Sequence, residues 1–318
     1  MSIALSIDSD LMASLTPHQL TVLNKTLAYE QAALSHNTRR TYASMWKKFE
    51  TWCQSHNLQA LPASAETIAL YLGSMGGEVS FSTLDTTIAA IEKIHEQKGL
   101  SITGNQDIYR RVRKGIRRSH KEQQSVRQAK ALSPCDLAIA CRQMGSSLKD
   151  LRDKALLTLA FFGALRRSET VAFDIEHIEF TDKGLVIKLL QSKTSDTAQN
   201  VYLSPTKDAS VCPLHAMRAW LLAAGIESGP LFRSIGKGNK VSANRLSGHA
   251  VAAIMKERFG DEYSGHSLRR GLVTAAAESG ATLARLQQHS RHKTANMVLR
   301  YVEAVEGFEN TSAKTLGV

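Results

Sequence analysis

Six side chains of this sequence have the types and the order needed for chemistry on a phosphodiester: Arg166, Lys193, His266, Arg269, His292 and Tyr301. A phosphodiester under attack gathers negative charge on its non-bridging oxygens, so catalysis is mainly positioning and electrostatic stabilisation. Guanidinium groups suit that task because each presents a fixed fork of donors and stays charged at any working pH. Tyr301 offers a phenol, a weak nucleophile with an ordinary pKa of about 10. Neighbouring arginine and histidine groups lower the cost of its phenolate in the transition state. A tyrosyl phosphodiester also conserves the energy of the bond it replaces, so a free hydroxyl can reverse the step without a nucleotide cofactor. At this level Arg167 and Arg270 compete with Arg166 and Arg269, Lys188 with Lys193, and His289 with His292. The plainer readings are a surface ion pair for Arg166 and Glu169, a solvated turn for Lys193, and a core position for Tyr301 between Leu299 and Val302.

The elements that must carry these residues are mostly helical. Thr16-Pro17 suits a helix start, and Asn37 suits the cap of the next helix. There Tyr42, Met45, Trp46, Phe49, Trp52 and Cys53 recur at helical spacing as a core stripe. Arg39, Arg40 and Lys47 fall mostly off that stripe, where they are free to meet a polyanion. A third helix runs from Ser64 through Leu72, and Ser82-Thr83-Leu84-Asp85 reads as a capping box. Residues 150–170 read as one helix. Two short strands, 185–190 and 200–203, flank a turn that holds Lys193. Helices follow over 212–224, 247–259, 267–279, 283–290 and 295–302. The expected fold is mainly α with a small antiparallel sheet.

The chain has 318 residues with 43% hydrophobic composition, enough for two ordinary domains. Its net charge of +11 favours nucleic acid as the partner. Charge is densest over 110–130, where nine basic residues face one acid. Ile108, Val112 and Ile116 give that stretch one apolar face, leaving Arg110, Arg111, Lys114, Arg117 and Arg118 as candidate phosphate contacts. The four cysteines form no C-x-x-C pair, which argues against a disulfide scaffold or a zinc site and for a reducing cytoplasm. No Walker-type phosphate loop and no convincing acidic cluster for Mg²⁺ appear, so neither a cofactor nor a metal is expected. The N-terminus does not read as a signal peptide, and the longest apolar stretch, 155–165, is too short to span a bilayer.

Two boxes carry a resemblance to a known family. Arg166-x-x-Glu169 and His266-x-x-Arg269, followed by His292 and by Tyr301 nine residues later, resemble the tyrosine recombinase (phage integrase) family, in its Cre-like and Xer-like branch. The resemblance selects Arg166 and Arg269 over their neighbours and gives Glu169 an accessory role. It makes Lys193 the mobile turn lysine that protonates the departing 5′ oxygen, and puts His292 at the family's His/Trp position. One box departs from the pattern: Ser290-Arg291 precedes His292 where the family often has Leu-Gly. The resemblance implies a helical core-binding domain over 1–125, a linker over 126–132 and a catalytic domain over 133–318, forming a C-shaped clamp on duplex DNA. It further implies a site-specific recombinase that forms a 3′-phosphotyrosine. Four protomers would pair two target sites and exchange strands through a Holliday junction, in the cytoplasm on the nucleoid. The rival readings are a type IB topoisomerase-like relaxing enzyme and a non-catalytic DNA-binding protein of the same fold.

Overall fold

The computed structural model describes residues 14–122, 129–189, 199–292 and 294–306. The chain divides into two compact units, Met1–Arg127 and Gln128–Val318.

The first unit contains five described helices: α1 (Pro17–Ala33), α2 (His36–Ser55), α3 (Ala65–Ser74), α4 (Phe81–Gln97) and α5 (Asp107–Ser119). Serine and threonine hydroxyls set the starts of the first four, accepting the N–H groups that a first turn leaves unpaired. Thr16 forms a reciprocal pair with Gln19, and Ser64 accepts from Thr67. Two caps lie two residues upstream of the expected ones. Ser35 rather than Asn37 caps α2, and Ser80 rather than Ser82 caps α4. The expected stripe on α2 supplies the core: Trp46, Phe49 and Cys53 are buried against Ile68, Leu72, Leu84, Ile91 and Tyr109. His95 is buried too, and its ring joins two backbones. Its Nδ1 donates to the Ile91 carbonyl and its Nε2 accepts from the Ala63 N–H, both at 2.8 Å.

Helix α5 carries its basic residues in two rows. Arg113 and Arg117 turn toward Asp85 on α4, at 2.5 and 3.4 Å, and Arg110 stands 3.6 Å from Asp107. Arg111, Lys114 and Arg118, spaced i, i+3, i+7, are exposed and have no ion pair among the described residues. On α2, Arg40 and Lys47 are exposed, whereas Arg39 is half-buried with its Nε shielded from solvent.

The second unit packs α6 (Pro134–Gln143), α7 (Leu148–Phe162), α8 (Arg167–Ala172), α9 (Pro213–Ala224), α10 (Gly248–Phe259), α11 (Gly265–Glu278), α12 (Leu283–Ser290) and α13 (Ala295–Glu306) with two small sheets. Strands β1 (Ile178–Thr181), β2 (Gly184–Leu189) and β3 (Gln199–Leu203) form one antiparallel sheet in that order, and β4 (Arg233–Gly236) pairs with β5 (Lys240–Arg245) in the other. The sequence suggests only β2 and β3. Strand β1 has four residues, and β4 and β5 bury neither face, so no alternation marks them. The helix expected over 150–170 is broken: α7 ends at Phe162, and Ala164 takes a φ of +44°. A Cβ at Gly163 would meet the Leu159 carbonyl at 2.8 Å, so the turn depends on glycine there.

The main core holds Leu156, Leu159, Phe161, Met217, Trp220 and Leu268. Helix α11 crosses the backbone of Leu132 so closely that a Cβ on Gly271 would lie 1.9 Å from the Leu132 carbonyl oxygen. The same approach lets Leu132 N donate to the Ser267 carbonyl at 3.1 Å, which holds residues 129–132 on this unit. A separate small cluster, Val273, Ala277, Leu286 and Val298, joins α11, α12 and α13. Among the described residues no helix is long and apolar enough to cross a membrane.

Candidate active site

Three chain reversals bring the candidate residues together. The first is the turn between α7 and α8. Arg166 is extended, with φ −71° and ψ 149°, and caps α8. Its N–H donates to Glu169 Oε2 at 2.8 Å and its Nη1 donates to Oε1 at 2.5 Å. Burial would raise the pKa of Glu169, but the two bonds from Arg166 and the charge of Arg291 outweigh it and hold the carboxylate below its ordinary value.

The second is the start of α11, capped by Ser264. His266 sits in the first turn, exposed, while Arg269 one turn later is only 5% exposed. Arg269 Nη1 donates to the Ala164 carbonyl at 2.9 Å, so the left-handed turn residue supplies the anchor for the second arginine. Its Nη2 is buried with no hydrogen-bond partner among the described residues. A buried guanidinium donor without an acceptor is costly, and an anionic oxygen is the ligand that would satisfy it. Burial, together with Arg166 and Arg291, brings the Arg269 pKa down to about 10, which leaves it charged at neutral pH. Although His266 meets solvent, partial desolvation of its ring and the charges of Arg167, Arg269 and Arg166 lower its pKa.

The third is the turn from α12 to α13. Ser290 Oγ donates to the Leu286 carbonyl at 2.5 Å. That bond commits the hydroxyl's one proton, so its 2.6 Å contact with His292 is accepted by Ser290 from Nδ1–H. The tautomer follows: Nε2 of His292 carries the free lone pair. Burial first, then Arg269, Arg166 and Arg291, push the pKa of His292 down to about 4. His292 is therefore a neutral proton acceptor at pH 7, with its ring centroid 6.0 Å from that of Tyr301. Tyr301, on α13, is half-buried against the small cluster, and the Arg270 guanidinium lies 5.7 Å from its ring centroid.

The competing residues have other partners. Methylenes of Arg167 lie over Gly265, within 2.9 Å of where a Cβ would stand, and the residue is exposed. Arg270 donates to the Ala129 carbonyl, and His289 Nε2 donates to the Phe162 carbonyl at 2.8 Å. Lys188 stands 3.8 Å from Glu179 on the sheet surface. Lys193 lies outside the described residues. Arg166, Glu169, His266, Arg269, His292 and Tyr301 thus come from separate segments to one locality. Sequence reading missed Arg291, whose guanidinium sits inside that locality. Its one signal was the departure from Leu-Gly before His292.

Residues 136–306 match the model of the phage integrase family, a span that holds every residue of this site. The chain is 33% identical over 286 residues to an integrase/recombinase xerD homolog from Selenomonas ruminantium, covering 87% of this chain and 84% of that protein. It is 24% identical over 304 residues to Recombinase cre of Escherichia phage P1, covering 87% of each. Among solved structures, the XerH site-specific recombinase bound to palindromic difH substrate, in its post-cleavage complex, has a similar fold. The TM-score is 0.57 at 14% identity, covering 88% of this chain and 80% of that one.

Proposed function

This chain belongs to the phage integrase family and is a tyrosine recombinase, an enzyme of DNA strand breakage and rejoining, and from that premise we propose that Tyr301 cuts each strand as a covalent nucleophile. The phenol oxygen forms a bond to phosphorus as the bond from phosphorus to the 5′ oxygen breaks. The phenol proton passes to His292 Nε2, and Lys193 protonates the departing oxygen. The product is a 3′-phosphotyrosine and a free 5′ hydroxyl. Attack by a 5′ hydroxyl from the partner duplex reverses the step. Arg166 and Arg269 hold the non-bridging oxygens, and Glu169 steadies Arg166. Four protomers on two sites exchange strands in two rounds through a Holliday junction. The observation that carries this reading is the buried Nη2 of Arg269, without a hydrogen-bond partner among the described residues, in the same locality as a neutral His292 and the Tyr301 ring.

The test is covalent trapping on nicked duplex DNA carrying the target site. Tyr301→Phe should bind DNA and form no adduct, and Arg269→Ala should slow cleavage about a hundredfold or more, the scale for losing one transition-state donor. Cleavage by the unmodified chain should survive EDTA. An adduct at the normal rate in Tyr301→Phe refutes the assignment of the nucleophile.

A further inference from the structure

One buried charge of the site, Arg291, has no part in the bond-making and bond-breaking just described. Arg291 follows the last residue of α12 with φ 56° and ψ 40°, in the left-handed region that glycine enters freely and arginine only at a cost. Its side chain is only 10% exposed. The guanidinium donates to the Gly163 carbonyl at 3.1 Å, the Ala164 carbonyl at 3.0 Å, the His289 carbonyl at 2.9 Å and Glu169 Oε2 at 3.3 Å. In the other direction, the Arg291 carbonyl accepts from Arg166 Nη2 at 3.2 Å. Arg166, Glu169 and Arg291 thus close a ring of hydrogen bonds. The carbonyl of Ala164 receives both Arg291 and Arg269, so a single peptide oxygen meets two of the three guanidiniums.

We propose that Arg291 is a positioning residue for strand cleavage: it fixes the turn that carries Arg166 against the turn that carries His292. The proposal rests on the cleavage reading given above. Its physical basis is the reach of the fork. Only a guanidinium spans two carbonyls of one turn and a carboxylate of the next helix from a single side chain. Glycine at this position would suit the backbone and lose the whole connection. The charge has a second effect. His292 is faced by Arg269 from α11, Arg166 from the α7–α8 turn and Arg291 beside it, with Ser290 and Tyr301 as neutral neighbours and Glu169 as the nearby carboxylate. Removing Arg291 takes away one of three positive charges, so the His292 ring should protonate more readily.

The experiment uses Arg291→Gly and Arg291→Lys in the full chain, with four readouts: adduct formation in single turnover on nicked DNA, DNA affinity, the cooperative thermal melt, and the ring-proton NMR titration of His292. Arg291→Gly should fold and bind DNA within about twofold of the unmodified chain, but form adduct at least tenfold more slowly, with His292 titrating at higher pH. Arg291→Lys keeps the charge without the fork. It should return the His292 titration toward its original place while cleavage stays slower than in the unmodified chain. Unmodified cleavage rates in both variants would overturn the proposal. So would a loss of rate that merely follows the loss of folded protein, or a His292 titration that does not move in Arg291→Gly. If the unmodified chain binds DNA and forms no adduct, the cleavage reading fails by itself, and the His292 titration then decides whether Arg291 acts on that ring.

Discussion

The most perturbed histidine of the site makes a claim about stability as well as chemistry. Burial and the adjacent arginines bring His292 from its ordinary 6.5 to about 4, and they lower His266 and His289 in the same direction. A histidine depressed in the folded chain takes up its proton more readily when unfolded. Stability from His292 is therefore complete above pH 6.5 and is lost as the pH falls from there toward 4. The shift corresponds to about 3 kcal/mol at most. Thermal melts between pH 7 and 4 should show the decline, and His292→Gln should flatten it; an unchanged pH slope in that variant would show that the ring is not held neutral. At this scale much of the site was legible beforehand. Arg166, His266, Arg269, His292 and Tyr301 form an ordered set whose chemistry is specific. The choice between each arginine and its neighbour needed the family pattern, because only the break at Gly163 and Ala164 leaves Arg166 half-buried on Glu169 and the Arg291 carbonyl while Arg167 stays exposed. Arg291 was legible only as a departure from the family's Leu-Gly, because an arginine between Ser290 and His292 does not announce the left-handed backbone that glycine would.

Helix α11 depends on a bare backbone at Gly271, where a methyl group would sit 1.9 Å from the Leu132 carbonyl oxygen. Backbone does not yield as a flexible side chain does, so Gly271→Ala should destabilise the unit by about 3 kcal/mol or more. Denaturant titration measures this, and a change under about 1 kcal/mol would mean that residues 129–132 simply move aside. Because Arg269 rides on the same helix, cleavage should fall as well. On α5 the division into two rows separates binding from folding. Neutralising Arg111, Lys114 and Arg118 should lower the slope of log affinity against log salt by about 0.9 per phosphate contact removed. Arg113→Gln should leave that slope nearly unchanged and lower stability by less than about 1 kcal/mol, through its pair with Asp85. Equal effects from both rows would show that the pairs with Asp85 open on DNA. Helix existence was legible from apolar spacing, as α2 and α5 show. The break after Phe162 was not, since 155–165 is apolar on every side and gives no phase. Strands β4 and β5 escaped because their pairing is local and their faces are polar.

Across the whole chain, the net charge of +11 suits a protein that acts on DNA. Residues 307–318 lie outside the described residues and include the apolar Phe308, Leu316 and Val318. Removing them is expected to leave single-site binding intact and to impair the pairing of two sites and strand exchange. Light scattering with one-site and two-site DNA, beside a recombination assay, checks this; full synapsis by the shortened chain would show the segment to be dispensable. The division into two units after Arg127 falls within the polar stretch expected to link two domains, while the attachment of 129–132 to α11 was not legible, because it is made by backbone groups. The small cluster under α13 has a consequence for timing. Val273, Ala277, Leu286 and Val298 form a cluster under α13, the helix of Tyr301, that is separate from the main core. The free energy for lifting α13 is then only a part of that for unfolding the unit. The observed cutting rate becomes the intrinsic rate multiplied by the fraction of time α13 is seated, and a partner that touches α13 can govern cutting without touching a catalytic group. Amide hydrogens of α13 should exchange well before those of α7; equal protection in the two helices would mean that the phenol is never free to leave.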